Sequence, residues 1–269
     1  MTAENQKTYK LGIALSGGGA RGFAHAGVLK ALEEAGYRPD VISGVSAGSI
    51  VGVLYAAGLK ADDILKLFST AKFRDLCSIS IRNGGVLDMS RFKRLLLKTL
   101  GGKTLLEELE IPMFIGATDF DNGHPAVFSS GAIGERVQAS CSIPIAFKPV
   151  KIDGVNYVDG GVLRNLPAWI IRDKCERLIG VNCSPMVADK YSPKSMLDIA
   201  IRAYNMLAKS SQVHDMEMCD LVISTTDIAH YKVFDLKGIK KCFQCGYESA
   251  KKAMDGVCWL SDRPEADTK

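Results

Sequence analysis

The chain has 269 residues, of which 47% are hydrophobic, so it is long and apolar enough for one large α/β domain or two small ones. Its formal net charge is +4, with Lys and Arg interspersed among Asp and Glu. This composition excludes a disordered chain and a basic nucleic-acid-binding surface, and it leaves a mild attraction to anionic lipids open.

Targeting and membrane-spanning segments are not predicted. Residues 1–10 lack the apolar core of a signal peptide. The longest apolar run, Ile50–Leu59, is shorter than the about 18 residues that a membrane-spanning helix needs. We therefore expect a soluble, cytoplasmic protein, with peripheral contact to a membrane left open.

Eight cysteines are scattered over the chain, which is typical of reduced, mostly buried thiols and not of a disulfide framework. Cys242 and Cys245 form the single CxxC motif, and no second pair stands at metal-ligand spacing. Two ordinary helix cysteines are the favoured interpretation, and a zinc or redox site is the alternative.

The first elements form a strand–helix–strand pattern. The apolar run Lys10–Leu15 predicts a strand, which leads through the glycine-rich loop Ser16–Gly22 into the helical pattern Phe23–Ala35. Val41–Val45 predicts the next strand, so the two strands should lie parallel and side by side. The loops that follow them should then meet at the carboxyl edge of the sheet, where ligand sites of α/β folds form.

The second strand runs into Gly44-Val45-Ser46-Ala47-Gly48, which matches the G-x-S-x-G nucleophile elbow between a strand and a helix. Ser46 would lie at the N-terminus of the next helix, where unpaired N–H groups favour developing negative charge. The same pentapeptide also occurs at ordinary strand-to-helix turns, so its interpretation depends on the partners found elsewhere.

Beyond the elbow, the pattern predicts further helices and strands in one domain, residues 10–260, with tails at residues 1–9 and 261–269. Helices are expected at Ala61–Ala71, Met89–Leu100 with Ser90 as N-cap, Ile133–Cys141, from Pro167, Ser195–Glu217 and Gly238–Met254. Strands are expected at Pro112–Thr118, His124–Ser129, Val150–Ile152, Val155–Val158, Leu178–Asn182 and Leu221–Ser224, and an irregular stretch at Phe73–Asp88.

The segment Met89–Leu100 combines leucines with Arg and Lys as a basic amphipathic helix. We favour a solvated basic face with the leucines packed inward. A lid or a lipid-facing surface is the alternative.

A serine nucleophile needs donors for the anion that forms on the substrate carbonyl. Gly17, Gly18 and Gly19 present consecutive backbone N–H groups that no side chain blocks, so they can hold an oxyanion or a phosphate. The phosphate interpretation is weaker because the loop lacks the Lys-Ser/Thr ending of a P-loop. Arg21 would brace the loop or bind a lipid phosphate, and a plain surface arginine is the alternative.

The nucleophile also needs a base, and the chain has four histidines: His25, His124, His214 and His230. The order Ser46, Asp159, then His214 or His230 would match an α/β-hydrolase triad. We favour Asp159 as the base, because it ends a hairpin arm and two glycines follow it, so that another backbone can approach closely. An Asx turn at a strand end is the alternative role of Asp159.

Three motifs in this order resemble the patatin-like phospholipase family: Gly17-Gly18-Gly19-Ala20-Arg21-Gly22, Gly44-Val45-Ser46-Ala47-Gly48 and Asp159-Gly160-Gly161. The resemblance continues in Phe23–Leu29, Ala139–Pro144 and Val162–Pro167, and it extends over Lys10–Met254. The chain departs from the family pattern at Cys141, where a small hydroxyl residue or alanine is frequent, and at Ile145, where glycine is frequent.

This resemblance implies a three-layer α/β/α sandwich with a mostly parallel central sheet, and a serine–aspartate dyad without histidine, metal or cofactor. Ser46 would be the nucleophile and Asp159 the base. The N–H groups of Gly17, Gly18 and Gly19 would form the oxyanion hole, with Arg21 in support.

The implied reaction is cleavage of fatty-acyl esters of phospholipids or lysophospholipids through an acyl-serine intermediate. The implied partners are a lipid or acyl-ester substrate and a transient membrane contact, with no nucleic acid. A small-ester or thioester hydrolase and a non-catalytic lipid-binding regulator are the alternatives.

Overall fold

Strands and helices alternate along most of the computed structural model, which describes residues 9–69, 78–79, 87–185, 195–229, 231 and 238–261. The strands are β1 (Tyr9–Leu15), β2 (Val41–Val45), β3 (Ser78–Ile79), β4 (Leu87–Asp88), β5 (Met113–Asp119), β6 (His124–Phe128), β7 (Val150–Ile152), β8 (Val155–Asp159), β9 (Cys175–Asn182) and β10 (Leu221–Ser224). The helices are α1 (Ala24–Glu34), α2 (Ala47–Ala56), α3 (Ala61–Ser69), α4 (Ser90–Thr99), α5 (Ile133–Ser140), α6 (Ala168–Ile171), α7 (Met196–Glu217), α8 (Ile239–Met254) and α9 (Cys258–Ser261).

The central sheet has the strand order β10-β9-β1-β2-β5-β8-β7, and β6 pairs with β5. Strands β10, β9, β1, β2 and β5 are parallel neighbours, whereas β6, β7 and β8 join through antiparallel pairs. β1 and β2 pair from Gly12↔Val41 to Leu15↔Gly44, which confirms the predicted strand–helix–strand unit. β3 and β4 form a separate two-stranded sheet.

Both faces of the central sheet are covered by packed side chains. Successive residues of a strand point to opposite faces. Ile13 and Leu15 of β1 therefore join a large hydrophobic cluster with residues of α1, α2, α3 and α8, whereas Ala14 joins a smaller cluster with residues of α6. The predicted three-layer α/β/α sandwich with a mostly parallel sheet is confirmed.

The register of β5 brings two distant segments together. β2 pairs with β5 as far as Val45↔Gly116, and the next residue of β5, Ala117, pairs with Asp159 of β8. Ser46 directly follows Val45 in the chain. Ser46, which follows β2, and Asp159, which ends β8, consequently both lie beside Gly116 and Ala117 of β5.

Some predicted boundaries need correction. Ser90 is the first residue of α4 and not its N-cap, because Met89 takes the cap position and the Asp88 carboxylate accepts the Ser90 N–H at 2.9 Å. The helix predicted from Pro167 stops after about one turn, since the chain tightens into a 3-10 turn, Arg172–Lys174, before β9. Tyr9, assigned to the tail, starts β1.

The predicted irregular stretch Phe73–Asp88 lies largely outside the described residues. Its described parts form β3 and β4, so at those positions the prediction is corrected to short paired strands. The tails at residues 1–8 and after Ser261 also lie outside the described residues.

The basic helix α4 packs its apolar side inward. Phe92 and Leu96 are buried, and Leu95 and Leu97 are partly buried against the core. This packing favours the solvated-face interpretation of α4 over a lipid-facing surface. None of the described helices is both long and apolar enough to cross a bilayer.

The CxxC motif lies within α8, where Cys242 and Cys245 are both buried. The cysteines in the described part of the chain form no disulfide. Among the same residues, no group of three or more His, Cys, Asp or Glu side chains is placed to hold a metal ion. The motif therefore fits two packed helix cysteines.

Candidate active site

Ser46 occupies a sharp turn between β2 and α2. Its backbone has φ 51° and ψ −121°, a left-handed conformation that is unfavourable for a residue with a side chain. The flanking glycines permit this turn, because a Cβ on Gly48 would lie 2.1 Å from the Leu15 carbonyl oxygen, and one on Gly44 would lie 2.6 Å from the Gly48 backbone. The predicted strand–turn–helix context of the G-x-S-x-G motif is therefore present.

Hydrogen bonds hold the Ser46 backbone in this strained position. Its N–H donates to Ser140 Oγ at 2.8 Å, and that hydroxyl donates to the Gly116 carbonyl at 2.6 Å. Its carbonyl accepts the N–H and the hydroxyl of Ser49, at 2.9 Å and 2.7 Å. Ser46 is 5% exposed, so the serine lies in a recess at the sheet edge.

Asp159 is the buried acidic neighbour of Ser46. Its Oδ1 accepts two hydrogen bonds, from the Gly161 N–H at 2.8 Å and from the Tyr204 hydroxyl at 2.9 Å. Its Oδ2 is buried and accepts no hydrogen bond of ordinary geometry from the described residues. The Ser46 hydroxyl is nevertheless close enough to lower the pKa of Asp159. Hydrogen bonds between catalytic groups are often long before substrate binds and shorten in the complex.

Burial raises the pKa of Asp159 from 3.8 to about 6, although hydrogen bonds from Ser46, Gly161 and Tyr204 favour the ionised form. A carboxyl group with such a pKa can accept a proton near neutral pH and give it back. The Gly161 N–H bond to Oδ1 makes this turn an Asx turn, the alternative role named above, and the role of Asp159 as a base stays a prediction.

The glycine loop lies at the same sheet edge as Ser46 and Asp159. The Gly17 N–H donates to the Asn165 carbonyl at 3.1 Å, so this donor is already used within the protein. Gly18 and Gly19 begin the 3-10 turn Gly19–Phe23, and the first N–H groups of a helical turn lack acceptors within it. The Gly17 N–H is thus occupied within the protein, whereas Gly18 and Gly19 lie at the start of the turn. The oxyanion hole in this loop stays a prediction.

Arg21 and His25 lie beneath the loop, away from solvent. Arg21 is buried, and its Nε donates to the Gly18 carbonyl at 3.3 Å, so it braces the loop and is not a plain surface arginine.

His25 Nε2 lies 2.7 Å from the Ser16 carbonyl and Nδ1 lies 3.4 Å from Cys183 Sγ. Burial lowers the pKa of His25 to about 4, so the ring is neutral and donates to Ser16 through Nε2.

His214 and His124 are exposed, in contrast to the buried His25. His214 is on α7, its side chain is 71% exposed, and its Nδ1 lies 3.4 Å from Glu217 Oε2. His124 is exposed on β6. His230 lies outside the described residues. Within the described part of the chain, the group that faces Asp159 is Tyr204 and not a histidine.

Three side chains of α7 that belong to none of the motifs contact the segment Asp159–Asn165. Tyr204 donates to Asp159, Ser211 Oγ accepts the Asn165 N–H at 3.2 Å, and Asp215 pairs with Arg164. The spacing of 204, 211 and 215 places these side chains on one face of a helix, which is a signal that the sequence carries. Ser140 lies within the motif Ala139–Pro144, but its hydrogen bond to the Ser46 N–H does not follow from that motif.

The chain is similar in sequence to known proteins. A family model described as patatin-like phospholipase matches residues 13–171. The chain is 33% identical over 165 residues to lysophospholipase nte1 of Aspergillus fumigatus, a match that covers 58% of this chain and 11% of that protein. It is 35% identical over 163 residues to an uncharacterized NTE family protein of Mycobacterium tuberculosis, covering 59% of this chain and 44% of that protein.

Among solved structures, the crystal structure of VipD from Legionella pneumophila aligns with a TM-score of 0.53 and 16% identity, covering 92% of this chain and 67% of that one. At this identity the likeness concerns the fold alone. The chain spans less than half the length of the two curated relatives. The family match includes the glycine loop, the Ser46 turn and the Asp159 turn, and the chain belongs to the patatin-like phospholipase family.

Proposed function

We propose that the chain is a serine hydrolase that cleaves fatty-acyl carboxylic esters of phospholipids or lysophospholipids with a Ser46–Asp159 dyad. The observation that carries this proposal is the strained, recessed Ser46 beside the buried Asp159, whose pKa is about 6. The family membership and the name of the Aspergillus relative, a lysophospholipase, support the lipid ester as substrate class.

In the proposed acylation step, Ser46 Oγ attacks the ester carbonyl carbon while its proton passes to Asp159 Oδ2. The carbonyl oxygen becomes an oxyanion that the N–H groups of Gly18 and Gly19 stabilise. When the carbon–oxygen bond to the alcohol breaks, Asp159 returns the proton to the leaving alcohol oxygen. The product of this half-reaction is an acyl ester on Ser46.

In the proposed deacylation step, a water molecule attacks the acyl carbon and its proton passes to Asp159. Collapse of the second oxyanion breaks the bond to Ser46 Oγ, which regains the proton, and the fatty acid leaves. Arg21 supports both steps by holding the loop through the Gly18 carbonyl. We assign this activity to one domain, residues 10–260.

The substrate class is tested with wild-type protein on 1-palmitoyl-lysophosphatidylcholine and on p-nitrophenyl esters of butyrate and laurate. We expect release of palmitate from the lysophospholipid, and a higher kcat/KM for laurate than for butyrate. A steep fall of kcat/KM with acyl length, together with no fatty-acid release from the lysophospholipid, would instead establish a small-ester hydrolase.

The pH dependence of kcat/KM should report the state of Asp159. As a base, Asp159 acts when ionised, so activity is expected to rise with pH through an apparent pKa of about 6 and to level off above it. Tyr204→Phe removes the hydrogen bond that favours the carboxylate, which raises the pKa of Asp159 further. The midpoint of the acid limb should therefore move to higher pH in this variant.

Burial and the Asp159 charge keep the pKa of Tyr204 well above its usual range, so Tyr204 acts as a donor throughout the assay. Tyr247→Phe is a matched control, because its hydroxyl donates to Glu34 at 2.6 Å and not to Asp159. An unchanged acid limb in Tyr204→Phe would show that Asp159 does not control this limb.

A further inference from the structure

Ile145 combines two unfavourable features. Its backbone φ is 72°, in the left-handed region, where a β-branched side chain is strained. Its side chain is 60% exposed to solvent. Burial therefore does little to offset the strain.

Among the described residues, the other non-glycine positions with positive φ have a local reason. Ser46 is the tip of the nucleophile turn, and Asp153 stands in the Asp153-Gly154 turn between β7 and β8. Aspartate tolerates this conformation well, whereas isoleucine tolerates it poorly. Strained residues that neither packing nor turn chemistry explains are concentrated at functional sites.

The segment around Ile145 is attached to both members of the proposed dyad. Ser140 Oγ accepts the Ser46 N–H at 2.8 Å, and the Ser142 carbonyl accepts the Asp159 N–H at 3.0 Å. On the other side of Ile145, the Ala146 carbonyl accepts the Leu87 N–H at 3.0 Å. The backbone is fixed on both sides, which holds the Ile145 side chain in water close to the site.

A cavity of about 190 Å³ borders the same segment. Its lining includes Ser142 and Phe147 on either side of Ile145, together with Leu87, Met89 and Val150. The lining also includes the polar side chains of Asp88, Gln138 and Lys148, so the cavity offers both apolar and polar contacts. The Ser142 carbonyl connects it to Asp159 through the hydrogen bond above. In the sequence, Ile145 lies between Ser142, whose carbonyl contacts Asp159, and the cavity-lining residue Phe147.

We propose that Ile145 contacts the acyl chain of a lipid bound at Ser46 and thereby sets the preference for long acyl chains. The proposal rests on the proposed function for the position of the ester. Contact with an acyl chain removes the exposed Ile145 side chain from water, which gives the strained conformation a benefit that the ligand-free protein lacks.

The test compares Ile145→Gly with wild type on p-nitrophenyl laurate and p-nitrophenyl butyrate. We expect the laurate-to-butyrate ratio of kcat/KM to fall about five- to tenfold, with butyrate turnover within about twofold of wild type. Glycine accepts a positive φ, so the melting temperature should rise by about 1–3 °C. Asp153→Gly is the matched control, since it changes another positive-φ residue, exposed at the far end of β8, and should leave the ratio unchanged.

A second readout keeps the proposal testable if wild type hydrolyses neither ester, an outcome that would refute the proposed function alone. Binding of 1-lauroyl-lysophosphatidylcholine, below its critical micelle concentration, is measured calorimetrically in Ser46→Ala with and without Ile145→Gly. About fivefold weaker binding in the double variant supports the acyl contact. Equal binding overturns the proposal where no ester is hydrolysed, and an unchanged chain-length ratio overturns it where both are. A changed oligomeric state at an unchanged ratio also overturns it and would assign Ile145 to an interface between copies.

Discussion

Asp159→Asn should lower kcat on a lipid ester by about 10³- to 10⁴-fold and at the same time stabilise the fold at neutral pH. Asn keeps the shape of the side chain, and its oxygen can still accept from Gly161 and Tyr204, as Oδ1 does. The amide nitrogen then replaces Oδ2, and it can donate to the Ser46 hydroxyl but cannot take its proton. Steady-state kinetics at pH 8 measure the loss.

The stability gain follows from the direction of the Asp159 pKa shift. Because the folded pKa of about 6 lies above the ordinary 3.8, the stabilising contribution of the neutral carboxyl is full below pH 3.8 and is lost as pH rises through 6. Asn stays neutral at every pH. The melting-temperature difference between variant and wild type should therefore grow from pH 4 to about 6 and stay constant above.

Asp153→Asn is the control for this pair of measurements. Asp153 is exposed at the turn of the same hairpin, and Asn fits its positive φ. It should change neither kcat nor the pH dependence of the melting temperature. An Asp159→Asn variant with wild-type kcat would remove Asp159 from the mechanism.

Ser46→Ala is expected to reduce kcat by about 10⁶-fold, because the variant lacks the hydroxyl that forms the acyl intermediate. The fold should persist, since the Ser46 backbone contacts to Ser140 and Ser49 do not use its own hydroxyl. Circular dichroism and the melting temperature check the fold, and fatty-acid release checks the activity.

Ser43→Ala is the matched control for the loss of a buried serine hydroxyl. Ser43 lies on β2, the strand that leads to Ser46, and its hydroxyl donates to the Pro167 carbonyl at 2.8 Å, away from Asp159. Its removal should cost about 1 kcal/mol of unfolding free energy and leave kcat within a few-fold of wild type. Ester turnover that survives Ser46→Ala would contradict the assignment of the nucleophile.

The parts of the site that could be predicted from the sequence are those encoded by local turn chemistry. Gly44 and Gly48 predict a turn that residues with side chains cannot make. Asp153-Gly154 predicts the hairpin whose second strand ends at Asp159. The apolar run Lys10–Leu15 likewise predicts a strand, and the structure buries β1 from Leu11 to Leu15. Each of these signals lies within a few residues of the feature that it predicts.

The missed features depend on contacts between distant segments. Tyr204 reaches Asp159 from 45 residues away, and the Asn165 carbonyl takes the Gly17 N–H that the motif assigned to the oxyanion. Neither contact follows from a pattern until the register of β8 on β5 is known. The Ser90 cap is a local exception: Asp88, two residues earlier, accepts the Ser90 N–H, and the helix begins at Ser90, one residue earlier than predicted.

The central claim, a dyad of Ser46 and Asp159 without histidine, is tested most directly by labelling with a fluorophosphonate and mapping the modified peptide by mass spectrometry. Labelling is compared in wild type, Asp159→Asn and the His214→Ala/His230→Ala double variant. We predict modification of Ser46 that is lost in Asp159→Asn and retained in the histidine variant. Labelling that disappears with the histidines, or that falls on another residue, would contradict the dyad.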